Sequence, residues 1–229
     1  SLMLRDSASV EGLPKRLLEM TAQAARDAGE EDASAAAGPW KIGLEAASYV
    51  PFMEHCRDRT LREELYRAYV TRASGDEFDN RPLIEEILEL RQEMAELLGY
   101  ESYAVLSLDS KMASGVEEVE SLLEDLRRSS IASAENDFEE LKAFAADQGE
   151  TAPLALWDIP LWAERQREHR FAYSEEALRS YFPLPVVLQG LFALTERLFG
   201  VRVVKADGEV SVWHRDVRYF RVEDAEGKD

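Results

Sequence analysis

Cysteine is nearly absent from this chain of 229 residues, which contains only Cys56. A single cysteine excludes an internal disulfide framework and favours a reducing compartment. Glycine and proline are also scarce, with 12 and 8 residues, whereas 45% of the residues are apolar. This composition favours helices over disordered structure. A chain of this length can also bury a core without help from disulfides or structural metals.

Positive charge is in short supply, because 27 Lys and Arg face 46 Asp and Glu, giving a formal net charge of −19. Such an acidic chain repels phosphate groups, which argues against binding to nucleic acid or to an anionic membrane. Long apolar runs are missing as well. The uncharged stretch 180–195 contains two prolines and a glycine, and it is shorter than the about 20 residues that span a bilayer. No basic and then apolar leader opens the sequence, so we expect no secretory signal.

Apolar residues recur every three or four positions through most of the first 200 residues, as in amphipathic helices. In the clearest case Asp79 and Asn80 precede Pro82 and Gly99 follows the last turn, which predicts a helix over about 81–98. The apolar stripe of this helix consists of Leu83, Ile87, Leu90, Met94 and Leu97, widened by Ile84 and Leu98.

The same signals predict other helices along the chain. They are expected at 13–28, from Thr60, from Ser114, at about 131–147, at 157–171 and at 186–199, with a short one that begins at Ser174. Thr60 with Glu63, and Ser114 with Glu117, are interpreted as capping boxes. The segment 29–39 is rich in glycine, alanine and acidic residues, and we interpret it as a mobile surface loop.

A strand-like alternation replaces the helical pattern after Gly200. The runs 201–205 and 210–213 flank Asp207-Gly208, which predicts a β-hairpin, and a third strand is expected at 217–223. The turn signal that follows it suggests a sheet edge awaiting a partner, so Asp229 is not expected to be a natural terminus. The sequence thus predicts a mainly α fold, with a helical region at 1–200 and the beginning of a small antiparallel sheet at 201–229, both within one larger domain.

Residues that could carry chemistry are few. His55, His169 and His214 lie far apart in the sequence, and none has the second histidine four positions away that a helical zinc site needs. Cys56 follows His55, but neighbours on a helix point about 100° apart, so we expect a buried, unreactive thiol. On a strand, His214 shares a face with Asp216, and the two could hydrogen-bond and fix a bend. No catalytic residue and no metal ligand is predicted.

A set of short segments occurs in a fixed order along nearly the whole chain: 48–53, 61–69, 71–74, 90–93, 97–100, 111–113, 157–158, 181–183, 190–192 and 212–214. Each segment alone is weakly specific, but the ordered set resembles the thimet oligopeptidase and oligopeptidase A family of zinc metallopeptidases. The resemblance implies a predominantly helical protein with a deep channel that cleaves short peptides. It also implies zinc held by an H-E-x-x-H helix and a later glutamate, with the first glutamate activating a metal-bound water.

No H-E-x-x-H motif occurs in the 229 residues. In the family that motif lies beyond the position that matches Asp229, so the resemblance implies an internal segment of such a peptidase. The segment would comprise helices that wall the channel and the first strands of the sheet that precedes the metal helix. No catalytic or metal-binding residue can be transferred to this chain, and its substrate-binding residues stay unknown.

Two functional hypotheses follow. The first is an internal segment of a zinc-dependent metallo-oligopeptidase, with zinc and short peptides expected for the full-length parent, and with the chain alone inactive and free of zinc. The alternative is a stand-alone acidic helical protein-interaction module that has lost the peptidase half. A cytoplasmic location is expected, or an organelle if a targeting peptide lies upstream. Self-association through surface that the missing parts would cover is a further expectation.

Overall fold

The computed structural model describes residues 1–172, 178, 180–224 and 226–227, apart from the side chain of Asp76. The chain divides into two compact units, Ser1–Phe171 and Ala172–Asp229. Seven α-helices in the first unit and one in the second are described, and each unit has a small antiparallel sheet, which confirms the predicted mainly α class. In the part of the chain that the structure describes, no helix combines the length and the hydropathy needed to cross a bilayer.

Helices dominate the first unit. They are α1 (Lys15–Asp27), α2 (Ala46–His55), α3 (Arg59–Val70), α4 (Arg81–Leu97), α5 (Tyr103–Leu108), α6 (Val116–Asp147) and α7 (Ile159–Phe171), with short 3-10 turns at Ser7–Val10 and Asp76–Phe78. The strands β1 (Leu2–Leu4) and β2 (Trp40–Ile42) pair antiparallel, with Leu2 opposite Ile42. This sheet could not be predicted from the sequence, because three-residue strands are too short to display an alternation.

The main core of the first unit forms where α1, α2 and α3 pack together with the sheet of β1 and β2. Its most deeply buried large side chains are Trp40, Ile42, Phe52, Met53 and Leu65, each at most 1% exposed. A smaller apolar cluster joins the end of α6 to α7 and contains Leu141, Ala145 and Trp162. The aromatic residues in these clusters, Trp40, Phe52 and Trp162, are core packing residues.

Helix ends differ in detail from the predicted caps. Asp58 caps α3, because its carboxylate accepts hydrogen bonds from the backbone N–H groups of Thr60 (2.9 Å) and Leu61 (3.2 Å). The capping box predicted at Thr60 is therefore wrong, and Thr60 lies in the first turn. At the start of α6 the backbone N–H and the hydroxyl of Ser114 donate to Glu118 (2.6 and 2.8 Å), rather than pairing with Glu117.

Two predicted helices, one from Ser114 and one at about 131–147, are a single helix, α6, of 32 residues. No glycine or proline interrupts the sequence between them, so the backbone continues helically through the polar stretch that separates the two apolar patterns. The predicted helices at 13–28, 81–98, 157–171 and 186–199 are confirmed with shifts of one or two residues at their ends.

The segment 29–39 has no helix, as predicted, but its turns are tied to the neighbouring elements. Ser34 and Gly38 exchange backbone hydrogen bonds of 3.0 and 2.8 Å. The indole N–H of Trp40 donates to the carbonyl of Ala35 at 3.3 Å, and Arg26 donates to the carbonyl of Ala33. These bonds return the chain from α1 to β2, and the mobility of this segment stays a prediction.

The second unit contains α8 (Leu184–Phe199) and the antiparallel strands β3 (Arg202–Lys205) and β4 (Phe220–Glu223). Helix α8 ends at Gly200, whose φ of +68° is a left-handed conformation that glycine adopts without strain. The short helix expected from Ser174 begins outside the described residues.

The hairpin predicted between 201–205 and 210–213 is wrong. β3 pairs with β4, with Lys205 opposite Phe220, and 210–213 forms no strand. The backbone N–H of Ala206 donates to the carbonyl of Tyr219 (3.0 Å), and the backbone N–H of Tyr219 donates to the Asp207 carboxylate (2.7 Å). The side chain of Asp207 thus closes a longer connection. The predicted division at residue 200 into parts of one larger domain stays a prediction.

Candidate functional site

The three histidines occupy different elements. His55 ends α2, His169 lies in the last turn of α7, and His214 lies in a turn of the second unit. The ring of His169 packs against Phe144, with centroids 5.5 Å apart. His214 Nδ1 accepts a hydrogen bond from the backbone N–H of Asp216 at 3.2 Å, so the two residues fix a bend in a turn rather than on the expected strand. Within the described ranges no three His, Cys, Asp or Glu side chains converge as metal ligands.

Cys56 follows the last turn of α2 and is fully buried, as the sequence predicts. Its sulfur lies 3.7 Å from the carbonyl oxygen of Asp58 and 3.9 Å from that of Ser9. Burial raises the pKa of the Cys56 thiol to about 11. Because the reactive form of cysteine is the thiolate, this side chain is a packing group and not a nucleophile at neutral pH.

The most highly connected charged group in the first unit is a buried carboxylate between two guanidinium groups. Asp158 is 0% exposed, and Arg62 is 2% exposed. Arg62 Nη2 donates to Asp158 Oδ1 at 2.7 Å, and Arg59 Nη2 donates to Oδ2 at 2.7 Å. The backbone N–H of Ala155 donates to Oδ2 at 2.9 Å. Both carboxylate oxygens are thus occupied by donors from α3 and from the turn that precedes α7.

The remaining donors of Arg62 bind backbone carbonyls. Nη1 donates to the carbonyl of Cys56 at 2.8 Å, and Nε donates to the carbonyl of Trp157 at 3.1 Å. One guanidinium therefore connects the end of α2, the helix α3 and the start of α7, three segments that the sequence separates by up to about 100 residues. Arg suits this position because its planar fork presents several donors in a fixed geometry.

Electrostatics keep Asp158 ionised. Burial raises the pKa of its carboxyl, but the hydrogen bonds from Arg59, from the backbone of Ala155 and from Arg62 outweigh burial and lower the pKa below its usual range. A carboxylate with a lowered pKa and saturated oxygens is neither a general base near neutral pH nor free to bind a metal. The cluster of Arg59, Arg62 and Asp158, called the Arg–Asp cluster below, therefore has a structural role. It holds α3 against the start of α7.

Aromatic side chains lie on the same segments. The rings of Tyr66 and Trp157 are 5.9 Å apart, and the guanidinium of Arg67 lies 5.1 Å from the centre of the Trp157 ring. Tyr49 of α2 stacks on Tyr69 of α3 at 4.1 Å. These contacts also hold α3 against α2 and the start of α7. They are typical of packing rather than of a ligand-stacking site.

A shallow depression of about 260 Å³ lies at α5 and the start of α6, and its lining comprises Val105, Leu108, Asp109, Lys111, Met112, Ala113, Ser114 and Gly115. A hydrogen bond with Asp109 raises the pKa of the Tyr100 phenol. The ammonium of Lys111 donates to the hydroxyl of Ser107 at 2.7 Å. These lining residues do not combine a nucleophile with a base, so the depression offers no catalytic constellation.

Comparison with known proteins places the chain in a family. Residues 52–229 match peptidase family M3. The chain belongs to this family. It is 49% identical over 227 residues to the probable cytosolic oligopeptidase A of Arabidopsis thaliana, a match that covers 98% of this chain and 32% of that relative. Oligopeptidase A of Escherichia coli is 38% identical over 227 residues, covering 97% of this chain and 32% of the relative.

A second Arabidopsis thaliana protein, the organellar oligopeptidase A of chloroplasts and mitochondria, is 48% identical over 98% of this chain. The chain spans about a third of the length of these curated relatives. The family resemblance found in the sequence is therefore confirmed, with oligopeptidase A as the more specific description of the matching proteins.

Membership of the M3 family gives a context to the buried ion pair. Two of the segments that carry the resemblance, 61–69 and 157–158, meet in space through Arg62 and Asp158. Neither residue has a role that could be predicted from the sequence, because a buried pair that is 96 positions apart leaves no local pattern. The available signal was Arg62 itself, which lies one helical turn before Leu65 and Tyr66 on the face of α3 that carries apolar residues.

Proposed function

We propose that this chain is a segment of a zinc-dependent oligopeptidase that hydrolyses short peptides. The observation that carries the proposal is the match to oligopeptidase A proteins over 98% of this chain at 49% identity. In this proposal the helices of the first unit form part of the wall of the substrate channel, and peptides are bound and cleaved by the longer protein.

The residues that the structure describes do not fit the zinc ion of such an enzyme. Zinc takes three or four nitrogen, sulfur or carboxylate ligands that converge on one point. His55 and His169 end separate helices, the Cys56 thiol is buried with a raised pKa, and both oxygens of Asp158 are held by arginines. We therefore infer that the metal ligands and the catalytic glutamate lie outside these 229 residues, and we assign no chemical step to this chain.

The proposed contribution of this chain is mechanical. A channel wall must hold its shape while peptides enter and leave, and a buried arginine that joins three chain segments restrains their relative positions. Arg62 restrains α2, α3 and the start of α7 in this way. Loss of the Arg–Asp cluster would therefore affect the longer enzyme by disturbing the wall of the channel, and not by removing a catalytic group.

The proposed surroundings of the protein follow from charge and from the family. A net charge of −19 disfavours nucleic acid and anionic membranes as partners. The cytoplasm is the proposed compartment, or an organelle, because relatives with names of both kinds match the chain at similar identity.

Peptide hydrolysis tests the proposal directly. The chain of 229 residues and the complete product of its gene are purified separately and assayed with a quenched fluorescent peptide, with and without a zinc chelator. We expect chelator-sensitive cleavage and stoichiometric zinc for the complete product, and neither for the chain alone. Asp158→Asn in the complete product is expected to retain bound zinc, because this carboxylate is not a ligand.

Two outcomes contradict the proposal. Chelator-sensitive cleavage by the chain alone would place the zinc site within these residues. A complete gene product that lacks an H-E-x-x-H motif and any peptidase activity would instead favour the acidic helical interaction module.

A further inference from the structure

Two neighbouring side chains of α7 have hydrogen-bond donors without acceptors. Trp162 is 4% exposed, and its indole nitrogen Nε1 is buried without a hydrogen-bond partner. One helical turn further on, Arg165 is half-buried, and its guanidinium lies 4.8 Å from the centre of the Trp162 ring. Within the described residues this guanidinium forms no hydrogen bond and no ion pair. Because a buried donor without an acceptor costs free energy, we expect an acceptor beside these two groups.

The charges around Arg165 favour an acceptor that is negative. Burial, followed by the nearby charges of Arg57 and Arg62, lowers the pKa of the Arg165 guanidinium. An arginine nevertheless stays protonated in proteins, so the positive charge of Arg165 is present. Arg57 is already paired with Glu11, and Arg62 is paired with Asp158. The charge of Arg165 therefore lies next to two other cations whose own carboxylates are in use.

Two acidic residues lie close enough for their charges to act on Arg165. The charges of Glu168 and Glu150 favour its protonated form, but in the part of the chain that the structure describes neither carboxylate forms an ion pair with it. Glu150 accepts a hydrogen bond from the backbone N–H of Ala152 at 3.0 Å. Glu168 follows Arg165 by three positions, and a basic residue that precedes its acidic partner is the weaker order for a pair on a helix. Neither residue is therefore a good acceptor for Arg165.

Other arginines of α7 find carboxylates within this chain. Arg167 Nε donates to Glu164 Oε2 at 2.7 Å, and Arg170 Nη2 donates to Glu140 Oε2 at 2.6 Å. Arg165 has no such partner among the described residues. The chain spans about a third of the length of its curated relatives, so a protein of their length has many further acidic residues outside this segment.

One carboxylate can satisfy both donors. The indole nitrogen of Trp162 lies within roughly 7 Å of the guanidinium carbon of Arg165, and two hydrogen bonds of about 2.9 Å to the two oxygens of one carboxylate bridge such a separation. A carboxylate also matches the planar fork of an arginine, and unlike a water molecule it neutralises the charge.

We propose that Arg165 and the indole N–H of Trp162 bind the carboxylate of an Asp or Glu side chain in the part of the longer protein that lies outside these 229 residues. The inference rests on the proposed function, because both require this chain to be a segment of a longer protein. A carboxylate that belongs to the protein fits better than one of a peptide substrate. A substrate would leave the half-buried cation unpaired beside Arg57 and Arg62 after each turnover.

Carbodiimide coupling in the complete gene product tests the proposed contact. Arg165→Lys keeps the positive charge and introduces a primary amine, which a carbodiimide joins as an amide to a carboxylate in contact with it. Digestion and mass spectrometry then identify the coupled residue, and we expect an Asp or Glu outside the segment of 229 residues. Arg170→Lys is the matched control on the same helix, because its amine should couple to Glu140 within the segment.

Stability provides a second measurement, made on the complete gene product and on the chain of 229 residues. Arg165→Met removes the charge and keeps a side chain that packs on Trp162. It should lower the urea midpoint of the complete product by about 0.5 M or more, and it should leave the midpoint of the chain alone unchanged or raise it, because the cation has no partner there. Arg170→Met is the control, and it should shift both midpoints by less than about 0.2 M.

The role of the indole N–H is tested separately. Trp162→Phe removes the N–H and keeps an aromatic ring beside position 165. In the Arg165→Lys background it should lower the coupling yield at least twofold, because the carboxylate loses one of its two donors. An unchanged yield would overturn the site with two donors and would favour water as the acceptor of the indole N–H.

The proposal is overturned if the introduced amine couples to Glu150, to Glu168 or to no residue, or if Arg165→Met has the same effect on both proteins. Bound zinc and peptide cleavage of the wild-type complete product are measured separately and test the proposed function. A complete product that cleaves peptides but shows no coupling outside the segment contradicts this inference alone, whereas a complete product no longer than 229 residues contradicts both.

Discussion

Helices α3 and α4 have similar amphipathic patterns and opposite surroundings. Leu65 on the stripe of α3 is 0% exposed, whereas Leu90 on the stripe of α4 is 55% exposed. The stripe of α3 packs into the main core with α2, and its Arg62 is buried against Asp158. Helix α4 packs instead against α5, a helix of six residues. An apolar stripe therefore predicts a helix and a surface that needs to be buried, but it does not predict which element covers that surface.

The largest expected effect on stability comes from the buried ion pair that Arg62 of α3 forms with Asp158. Asp158→Ala removes the partner of Arg62 and leaves a guanidinium that is 2% exposed without its counter-charge. We expect the free energy of unfolding to fall by about 3–5 kcal/mol, the range for a broken buried pair. Urea denaturation followed by circular dichroism measures it. The matched control is Glu140→Ala, whose pair with Arg170 is exposed on both sides and should have little effect.

The pH dependence of stability provides a second test of the ion pair between Arg62 and Asp158. Because the folded-state pKa of Asp158 is lowered, its stabilising contribution is present above the ordinary aspartate value of about 3.9 and is lost as the pH falls below it. The stability difference between the wild type and Asp158→Ala should therefore shrink between neutral pH and about pH 3. A difference that stays constant over this range would contradict the role assigned to the ionised carboxylate.

The apolar positions of α3 and α4 should differ almost as strongly. Leu65→Ala creates a cavity in the core and should cost about 2–5 kcal/mol. Leu90→Ala removes a side chain that is more than half exposed, and at micromolar concentration it should cost less than about 0.5 kcal/mol. Equal losses for the two variants, measured by the same denaturation experiment, would show that α4 is buried in solution.

The smallest expected effect concerns the start of α3. Asp58→Ala removes the side chain that accepts hydrogen bonds from two backbone N–H groups and should cost about 1 kcal/mol. Thr60→Ala should cost less, because the Thr60 side chain caps nothing in this structure. The opposite order of the two losses would restore the capping box that the sequence predicts.

Most helices could be predicted from the sequence because their signals are local. The stripe of α4 and the glycines after α4 and α8 act within a few residues of one another, and the structure places those helices as expected. The pairing of β3 with β4 could not be predicted in this way. The Asp207-Gly208 turn is compatible with a two-residue hairpin, but the carboxylate of Asp207 binds the backbone of Tyr219, 12 positions away.

The properties of the candidate site also fall into those that could be predicted from local signals and those that could not. The sequence indicated that the cysteine is a packing group and that the scattered histidines have no zinc-site spacing, because both conclusions rest on chemistry and on spacing along the chain. It did not indicate that Arg59 and Arg62 share Asp158. These contacts join positions almost 100 residues apart. In the sequence, the three residues look no different from charged residues on a solvated surface.

The sequence by itself determined the helical class of this protein, the ends of most helices to within a few residues and the membership of peptidase family M3. Backbone hydrogen bonding and side-chain periodicity act over three or four residues, so the helical properties depend on residues that are close together in the sequence. Only the tertiary structure decided which charges are buried together, which strand pairs with β3 and which apolar stripe stays exposed. Those outcomes depend on burial and on the cost of an unpaired charge, and both are set by groups that meet only after the chain has folded.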